Sequence, residues 1–263
     1  MATIGSIESL WRYPVKSMAG ERLQEVFVGY AGVYCDRLYA VHSKAAPTGF
    51  PYLTARERSQ MLLCRPRFRR PDLATKPPNQ ADAESLDPGL TAVYPDIASL
   101  AVDVETPDGR ILSIDDPDLI SALAGDDVDA GQLSLLRSDR AMTDCRPVSL
   151  ISLQSVRQLG TEVGVDMDQR RFRANLYADL GASPGFSEND FVGRRLRIGT
   201  RLEIAVLDRD PRCKMITLDP ETGEANPKIL RQVAGAHDGR AGVYCAVLTE
   251  GVVRTGDPIV LLD

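Results

Sequence analysis

Short β-branched runs, each closed off by Gly, Pro or Asp, recur along most of this chain and leave little room for long helices. They fall at residues 23–28, 33–41, 100–105, 110–114, 133–136, 196–198, 201–207, 243–249 and 259–262. Strand signals at this density point to barrels or sandwiches. Helix signals are fewer and local. Asp116 and Pro117 begin a run to residue 124, Ser152 can cap a helix over 153–163, and Pro227 can open one over 228–233. The expected fold class is mainly β with a few short helices (α+β), in two β-barrel-like domains.

The domain division is placed in the acidic, Gly-flanked stretch 125–131, giving 1–125 and 126–263. Residues 72–89, with Pro77, Pro78 and Pro88, have no sustained period and read as a surface excursion. Ala-Gly-Val-Tyr-Cys occurs at 31–35 and again at 241–245, which reads as two similar Gly-bulged strands.

At 263 residues the chain is long enough for a sizeable core, and its 43% hydrophobic and 26% charged residues are those of an ordinary globular protein. A net charge of −6 argues against nucleic acid as a partner, because phosphate-backbone binding needs a basic surface. The amino terminus shows no basic-then-apolar leader, and no apolar run approaches ~20 residues, so a cytoplasmic protein without a membrane anchor is expected. Five widely spaced cysteines without a Cys-x-x-Cys pair fit a reducing compartment. Cys35, Cys64, Cys145 and Cys245 lie in or beside apolar runs and read as core side chains.

Cys213 is different. It follows Pro211 at the end of a strand-like run and stands between Arg212 and Lys214. Adjacent positive charge favours the thiolate, the form that attacks electrophiles and binds soft metals. A half-exposed structural cysteine with basic neighbours fits the same residues, and both readings stand at this level. In Trp11–Gly20, Pro14 and Gly20 bracket a turn that presents Lys16 and Ser17, a pairing suited to a phosphate. The segment from Cys35 to Ala40 adds Arg37. Arg173 and Asn175 would share one face if their segment were a strand. Asp219, followed by Pro220 and Gly223, is expected to fix the loop after the cysteine, and His237 to shape a turn.

Taken together, these segments resemble the molybdenum cofactor sulfurase C-terminal (MOSC) proteins with their preceding β-barrel domain, most closely the amidoxime-reducing components. The carriers are Tyr13-Pro14-Val15-Lys16-Ser17, Asp36-Arg37, residues 53–56, residues 171–175, residues 186–188, Arg212-Cys213 with Thr217, residues 219–223 and residues 256–258. The resemblance spans nearly the whole chain. It implies a molybdenum cofactor (Mo-molybdopterin) with Cys213 as metal ligand and catalytic residue, and Lys16, Ser17, Arg37, Ser152, Arg173, Asn175 and Arg212 as cofactor-binding residues. Ala174 stands where many relatives have proline, and Asn189-Asp190-Phe191 also departs from the pattern.

The implied activity is a molybdenum-dependent oxidoreductase that removes oxygen from small N-hydroxylated or N-oxide substrates. The sequence carries neither the membrane anchor nor the cysteine-rich ferredoxin extension of some relatives, so electrons are expected from a separate donor protein. The alternative is a non-catalytic carrier of persulfide sulfur or of the cofactor, using the same cysteine. A small-ligand barrel with an inert cysteine is a third reading.

Overall fold

The computed structural model describes residues 2–87, 89–125 and 129–262. Among them, seven strands close into a barrel. Around it run Leu176–Asp179, Val148–Ser152, Arg240–Thr249, Leu202–Pro211, Arg195–Ile198, Pro258–Leu261 and Ala2–Arg12, and the last pairs back onto the first. An odd number of strands cannot alternate direction all the way round, so one neighbouring pair has to be parallel. That pair is Val148–Ser152 with Leu176–Asp179, and the other six are antiparallel. A parallel pair needs a crossover connection, which the helix Leu153–Val163 supplies.

That helix begins where the sequence places its cap: Ser152 is extended, and its Oγ accepts from the Ser155 amide at 3.0 Å. Val156 and Leu159 face inward, and Gly164 ends the helix in the left-handed region at φ 74°. The helices Pro117–Ala124 and Pro227–Ala236 also start at their expected prolines, capped by Asp116 and Asn226.

Glu21–Leu23 adds to the barrel strand Ala2–Arg12 as a short eighth strand, and the remaining strands among the described residues form three three-stranded sheets. Two of them draw strands from both halves of the chain. Leu133–Arg137 pairs with Tyr39–Ser43, and Gly251–Arg254 pairs with Glu25–Gly29. Conversely, Ala2–Arg12 belongs to the barrel, so strand pairing crosses the division at 125/126 in both directions. Residues 126–128 of that boundary lie outside the described residues. One apolar cluster runs from Val26, Val28 and Val41 through to Leu196, Ile204 and Val243, which joins the small sheets to the barrel. A second cluster, including Ile151, Val156, Phe172, Ile216 and Val233, lies under the helices Leu153–Val163 and Pro227–Ala236.

Several expectations are corrected. The run 33–41 is two strands, Gly32–Val33 and Tyr39–Ser43, because Cys35 and Arg37 take positive φ values of 62° and 47° and turn the chain between them. The stretch 72–89 contains a short helix, Gln80–Leu86, which a single polar-rich turn and a half did not announce. Cys145 is exposed rather than core, since it sits in a loop and not in the neighbouring strand. The two Ala-Gly-Val-Tyr-Cys segments share a positive-φ glycine, at 112° for Gly32 and 76° for Gly242.

Candidate functional site

Cys213 lies just past the barrel strand Leu202–Pro211, half-buried, at the entry to the short 3-10 turn Lys214–Thr217. The loop after it is held by side chains. Thr217 Oγ1 donates to the Lys214 carbonyl at 2.7 Å, and Asp219 Oδ1 accepts from the amides of Glu221 and Thr222 at 2.9 and 3.1 Å. Arg171 ties this loop to the segment before the strand Leu176–Asp179, donating to the Thr217 carbonyl at 2.9 Å and to Asp219 at 2.6 Å. The expected role of Asp219 is therefore what the loop shows.

Opposite the cysteine loop, the chain from Tyr13 to Ser17 and the turn at Asp36-Arg37 lock together. The Arg37 amide donates to the Tyr13 carbonyl at 2.7 Å, the Lys16 amide to the Tyr39 carbonyl at 2.8 Å, and the Tyr13 amide to Asp36 Oδ1 at 2.8 Å. Ser17, Arg37 and Arg173 all hold positive φ, at 67°, 47° and 53°. Non-glycine residues in the left-handed region cost energy and persist where the surroundings fix them, which is common at functional sites. All three line the same cleft as Cys213.

That cleft comprises about 760 Å³ of non-atom space, part of it open to solvent, and brings together Lys16, Ser17, Arg37, Arg173, Asn175, Arg212 and Cys213. Arg56, Arg146 and Arg171 add further positive charge, against the carboxylates of Asp144 and Asp210. Seven cations facing two acids give the lining an excess of positive charge, which favours an anion. Ser152 is not in its wall. Its hydroxyl is fully buried, donates to Glu188 at 2.7 Å and accepts from the Ser155 amide, so it serves the helix cap and a buried carboxylate. The strand reading of Arg173 and Asn175 is also corrected. Arg173 is the left-handed end of the 3-10 turn Gln169–Phe172, and Asn175 precedes the strand.

The cations are held in distinct ways. Lys16 is buried and paired with Asp144, with Nζ also donating to the Met142 carbonyl at 3.1 Å. Burial lowers its pKa, partly offset by Asp144. Burial works to raise the Asp144 carboxyl, but the Lys16 charge and hydrogen bond, with the charges of Arg37 and Arg56, together hold the acid below its usual range. Arg37 pairs with the fully buried Asp36, which also accepts from Asn175 Nδ2 at 3.2 Å. Asn175 spends its other groups on the Trp11 carbonyl and on Ser149, so it acts by bracing Asp36.

Arg212 donates to the carbonyls of Ala241 and Phe172 at 2.7 and 2.8 Å, and its Nη2 lies 2.8 Å from Asp210 without hydrogen-bond alignment. A Cβ on Gly242 would fall 2.8 Å from the Leu150 carbonyl oxygen and 3.2 Å from Arg212 Nη2, so the glycine clears the space this guanidinium fills. Burial pushes the Asp210 carboxyl up to about 6, with the Arg212 charge and the Tyr244 hydroxyl working against it. Lys214 turns away, donating to the Arg56 carbonyl at 2.6 Å.

Three buried donors on residues of this wall make no hydrogen bond among the described residues, Arg171 Nε, Arg173 Nη2 and Arg212 Nη2, the last of them within 2.8 Å of the Asp210 carboxylate. Buried donors are ordinarily satisfied, so Arg171 Nε and Arg173 Nη2 keep capacity for an anionic acceptor. Burial, reinforced by the like charge of Arg37, pulls the Arg173 guanidinium down to about 10. Among the described residues, no group of three or more His, Cys, Asp and Glu side chains is arranged to hold a metal, so a metal at Cys213 would take its other ligands from a bound group.

Sequence reasoning missed Asp144, Arg146, Asp210 and Tyr244. Asp144 and Arg146 flank Cys145, which drew attention as a core thiol, and Asp210 stands only three residues before Cys213. Outside the cleft, His237 ends the helix Pro227–Ala236, stacks on Phe186 with ring centroids 3.8 Å apart, and lies 2.7 Å from Glu162.

Comparison with known proteins gives two family matches, the MOSC domain over residues 137–260 and the MOSC N-terminal beta barrel domain over residues 4–130. The chain is 38% identical over 103 residues to the molybdenum cofactor sulfurase of Drosophila willistoni, covering 38% of this chain and 12% of that protein. It is 33% identical over 141 residues to that of Drosophila grimshawi, covering 51% of this chain and 17% of the relative. The matches thus span less than a fifth of these relatives. Among solved structures, the YUAD protein from Bacillus subtilis aligns over 97% of this chain and 93% of its own, at 12% identity and TM-score 0.47. YiiM from Geobacillus stearothermophilus aligns over 45% of this chain and 55% of its own, at 20% identity and TM-score 0.36. No helix among the described residues is long and apolar enough to cross a membrane.

Proposed function

Because the chain belongs to the MOSC domain proteins, carrying the MOSC domain and its N-terminal β-barrel partner, we propose that the Cys213 cleft binds the molybdenum cofactor and that the protein reduces N-hydroxylated or N-oxide compounds. The observation that carries this reading is one cleft holding a half-buried thiol among seven cations, with two buried guanidinium donors, Arg171 Nε and Arg173 Nη2, lacking an acceptor.

The residues fit the group. Cys213 supplies a soft thiolate for the metal. Lys16, Arg37, Arg173 and Arg212 surround the place of the phosphate, and Ser17 adds a hydroxyl. Asn175 holds Asp36, and Asp36 holds Arg37, so the guanidinium is aimed before any ligand arrives. The bound cofactor supplies the two-electron redox change. Overall, R–NHOH, two protons and two electrons give R–NH2 and water, with the electrons coming from a separate donor protein.

The test is turnover: protein from a cofactor-making host, given artificial electrons, is expected to reduce benzamidoxime or a hydroxylamine, and Cys213→Ala to lose this. Loaded wild-type protein that reduces neither refutes the reductase assignment. The second reading, a carrier of sulfur or cofactor, is favoured by the sulfurase names of the relatives. Mass spectrometry distinguishes it, since a carrier accumulates a persulfide on Cys213 (+32 Da, roughly, the mass of one sulfur) and shows no turnover.

A further inference from the structure

A second cleft lies beside the first, with about 1490 Å³ of non-atom space against about 760 Å³. Arg171, Arg173 and Met215 line both, so the wall between them is built from the segment before the strand Leu176–Asp179 and from the cysteine loop. Met215 stands two residues after Cys213. Whatever sits in the outer cleft is therefore next to whatever Cys213 holds.

The outer cleft combines partly exposed apolar side chains, Trp11, Leu63 and Met215, with arginines. Most of those arginines are committed. Arg22 pairs with Glu8 at 3.1 Å, Arg65 lies 3.5 Å from Glu221, and Arg170 pairs with Asp168 and Glu221 at 2.6 and 2.5 Å. Arg67 is the exception. It lies on the strand Arg65–Phe68, exposed, and among the described residues it has no ion pair or hydrogen bond. Its register partner Asp103 is taken by Arg69, which binds it through two nitrogens at 2.9 and 2.6 Å. Glu105, the register partner of Arg65, is the lining acid without an ion pair; it stands diagonally across from Arg67, and the two make no ion pair. Outside the shared wall, the uncommitted donor of the cleft is thus the Arg67 guanidinium.

We propose that the outer cleft is the substrate arm of the Cys213 site, taking a small molecule with an apolar body and a phosphate or carboxylate, and that Arg67 selects for the anionic group. The inference rests on the proposed function for the word substrate, but the binding site itself does not depend on turnover. An apolar body fits the partly exposed Trp11, Leu63 and Met215 surface, and the guanidinium fork is the group that reads phosphate or carboxylate.

Phenyl phosphate and phenol are the probes, titrated into cofactor-free protein by calorimetry or NMR. Phenyl phosphate is expected to bind more tightly than phenol, and Arg67→Glu to weaken it at least fivefold. Cys213→Ala is expected to leave it unchanged. Arg67 is exposed and unpartnered, so the variant should fold, and its melting temperature is checked alongside. Because a phosphate can also enter the inner cleft, Arg212→Ala is measured in parallel. Affinity lost in Arg212→Ala and kept in Arg67→Glu overturns the proposal, as does equal binding of phenol or no binding of phenyl phosphate. On loaded protein, 4-carboxybenzamidoxime should show a lower KM than benzamidoxime, with the difference abolished by Arg67→Glu. Binding that follows Arg67 while both compounds go unreduced would leave the site standing and remove the reductase assignment.

Discussion

Arg37 and Arg173 lie over the same ring: their guanidinium carbons are 4.7 and 4.2 Å from the centroid of Tyr13, and Arg37 Nη2 donates to the Arg173 carbonyl at 3.1 Å. Two like charges are held close because the aromatic face attracts each of them and Asp36 neutralises one. The other is left without a counter-charge. A buried charge kept this way costs the fold stability, and under the proposed function it is reserved for the anionic group of the cofactor.

Removing that charge should separate stability from binding. Arg173→Met is expected to leave the stability of cofactor-free protein within ~1 kcal/mol of wild type, since the uncompensated buried charge it deletes offsets the lost hydrogen bond to Met18. The same variant should retain at most a tenth of the wild-type pterin. Urea unfolding and fluorescence of released pterin measure the two, and a stability loss above ~3 kcal/mol would make Arg173 a structural residue.

Asp210 predicts a pH dependence. Its folded carboxyl is held at about 6, against an ordinary value of 3.8. The raised value means that the neutral form is favoured by folding, so the stability it contributes is full below pH 3.8 and is lost as the pH rises through 6. The shift is worth at most about 3 kcal/mol. Asp210→Asn should therefore gain on wild type between pH 4 and pH 7 in urea titrations. Parallel pH profiles for the two proteins would show that the carboxyl is not held in this way.

Ser152 distinguishes a cap from a ligand contact. Ser152→Ala removes the acceptor for the Ser155 amide and one donor to buried Glu188, an expected loss of ~1–3 kcal/mol. Pterin content per folded chain should not change. Loss of pterin at full stability would return Ser152 to the cofactor site.

Thiol labelling separates the five cysteines. Cys35, Cys64 and Cys245 are buried, and burial pushes them up to about 12, 11 and 12. Native protein at neutral pH should react with a disulfide reagent at Cys213 and Cys145 only, and denatured protein at all five. Rapid native labelling of any buried thiol would contradict the packing described.

Local signals in the sequence translated well into local structure. Ser152, Asp116 and Pro227 begin helices where their chemistry places them, and Pro211 ends the strand that carries Cys213. Three barrel strands went unread: Ala2–Arg12, Val148–Ser152 and Leu176–Asp179. Ala2–Arg12 mixes Ser and Glu with apolar residues and gains its register from partners such as Asp179, far along the chain, so no short window shows its period. Within the cleft, the residues of the Tyr13–Ser17 and Arg212–Cys213 motifs were legible as motifs. Asp210 was not, because its significance is its burial beside Arg212, and Tyr244 reaches the cleft only through the pairing of its strand with Val148–Ser152 and Leu202–Pro211.

The central claim is that the Cys213 cleft holds the molybdenum cofactor through the thiolate and the surrounding cations. Molybdenum and pterin should be measured on wild type and on Cys213→Ala, both from a cofactor-making host. The account predicts close to one of each per wild-type chain, and in the variant pterin kept by the arginines and Lys16 but molybdenum lost or labile. Well-folded wild-type protein with neither molybdenum nor pterin would contradict it.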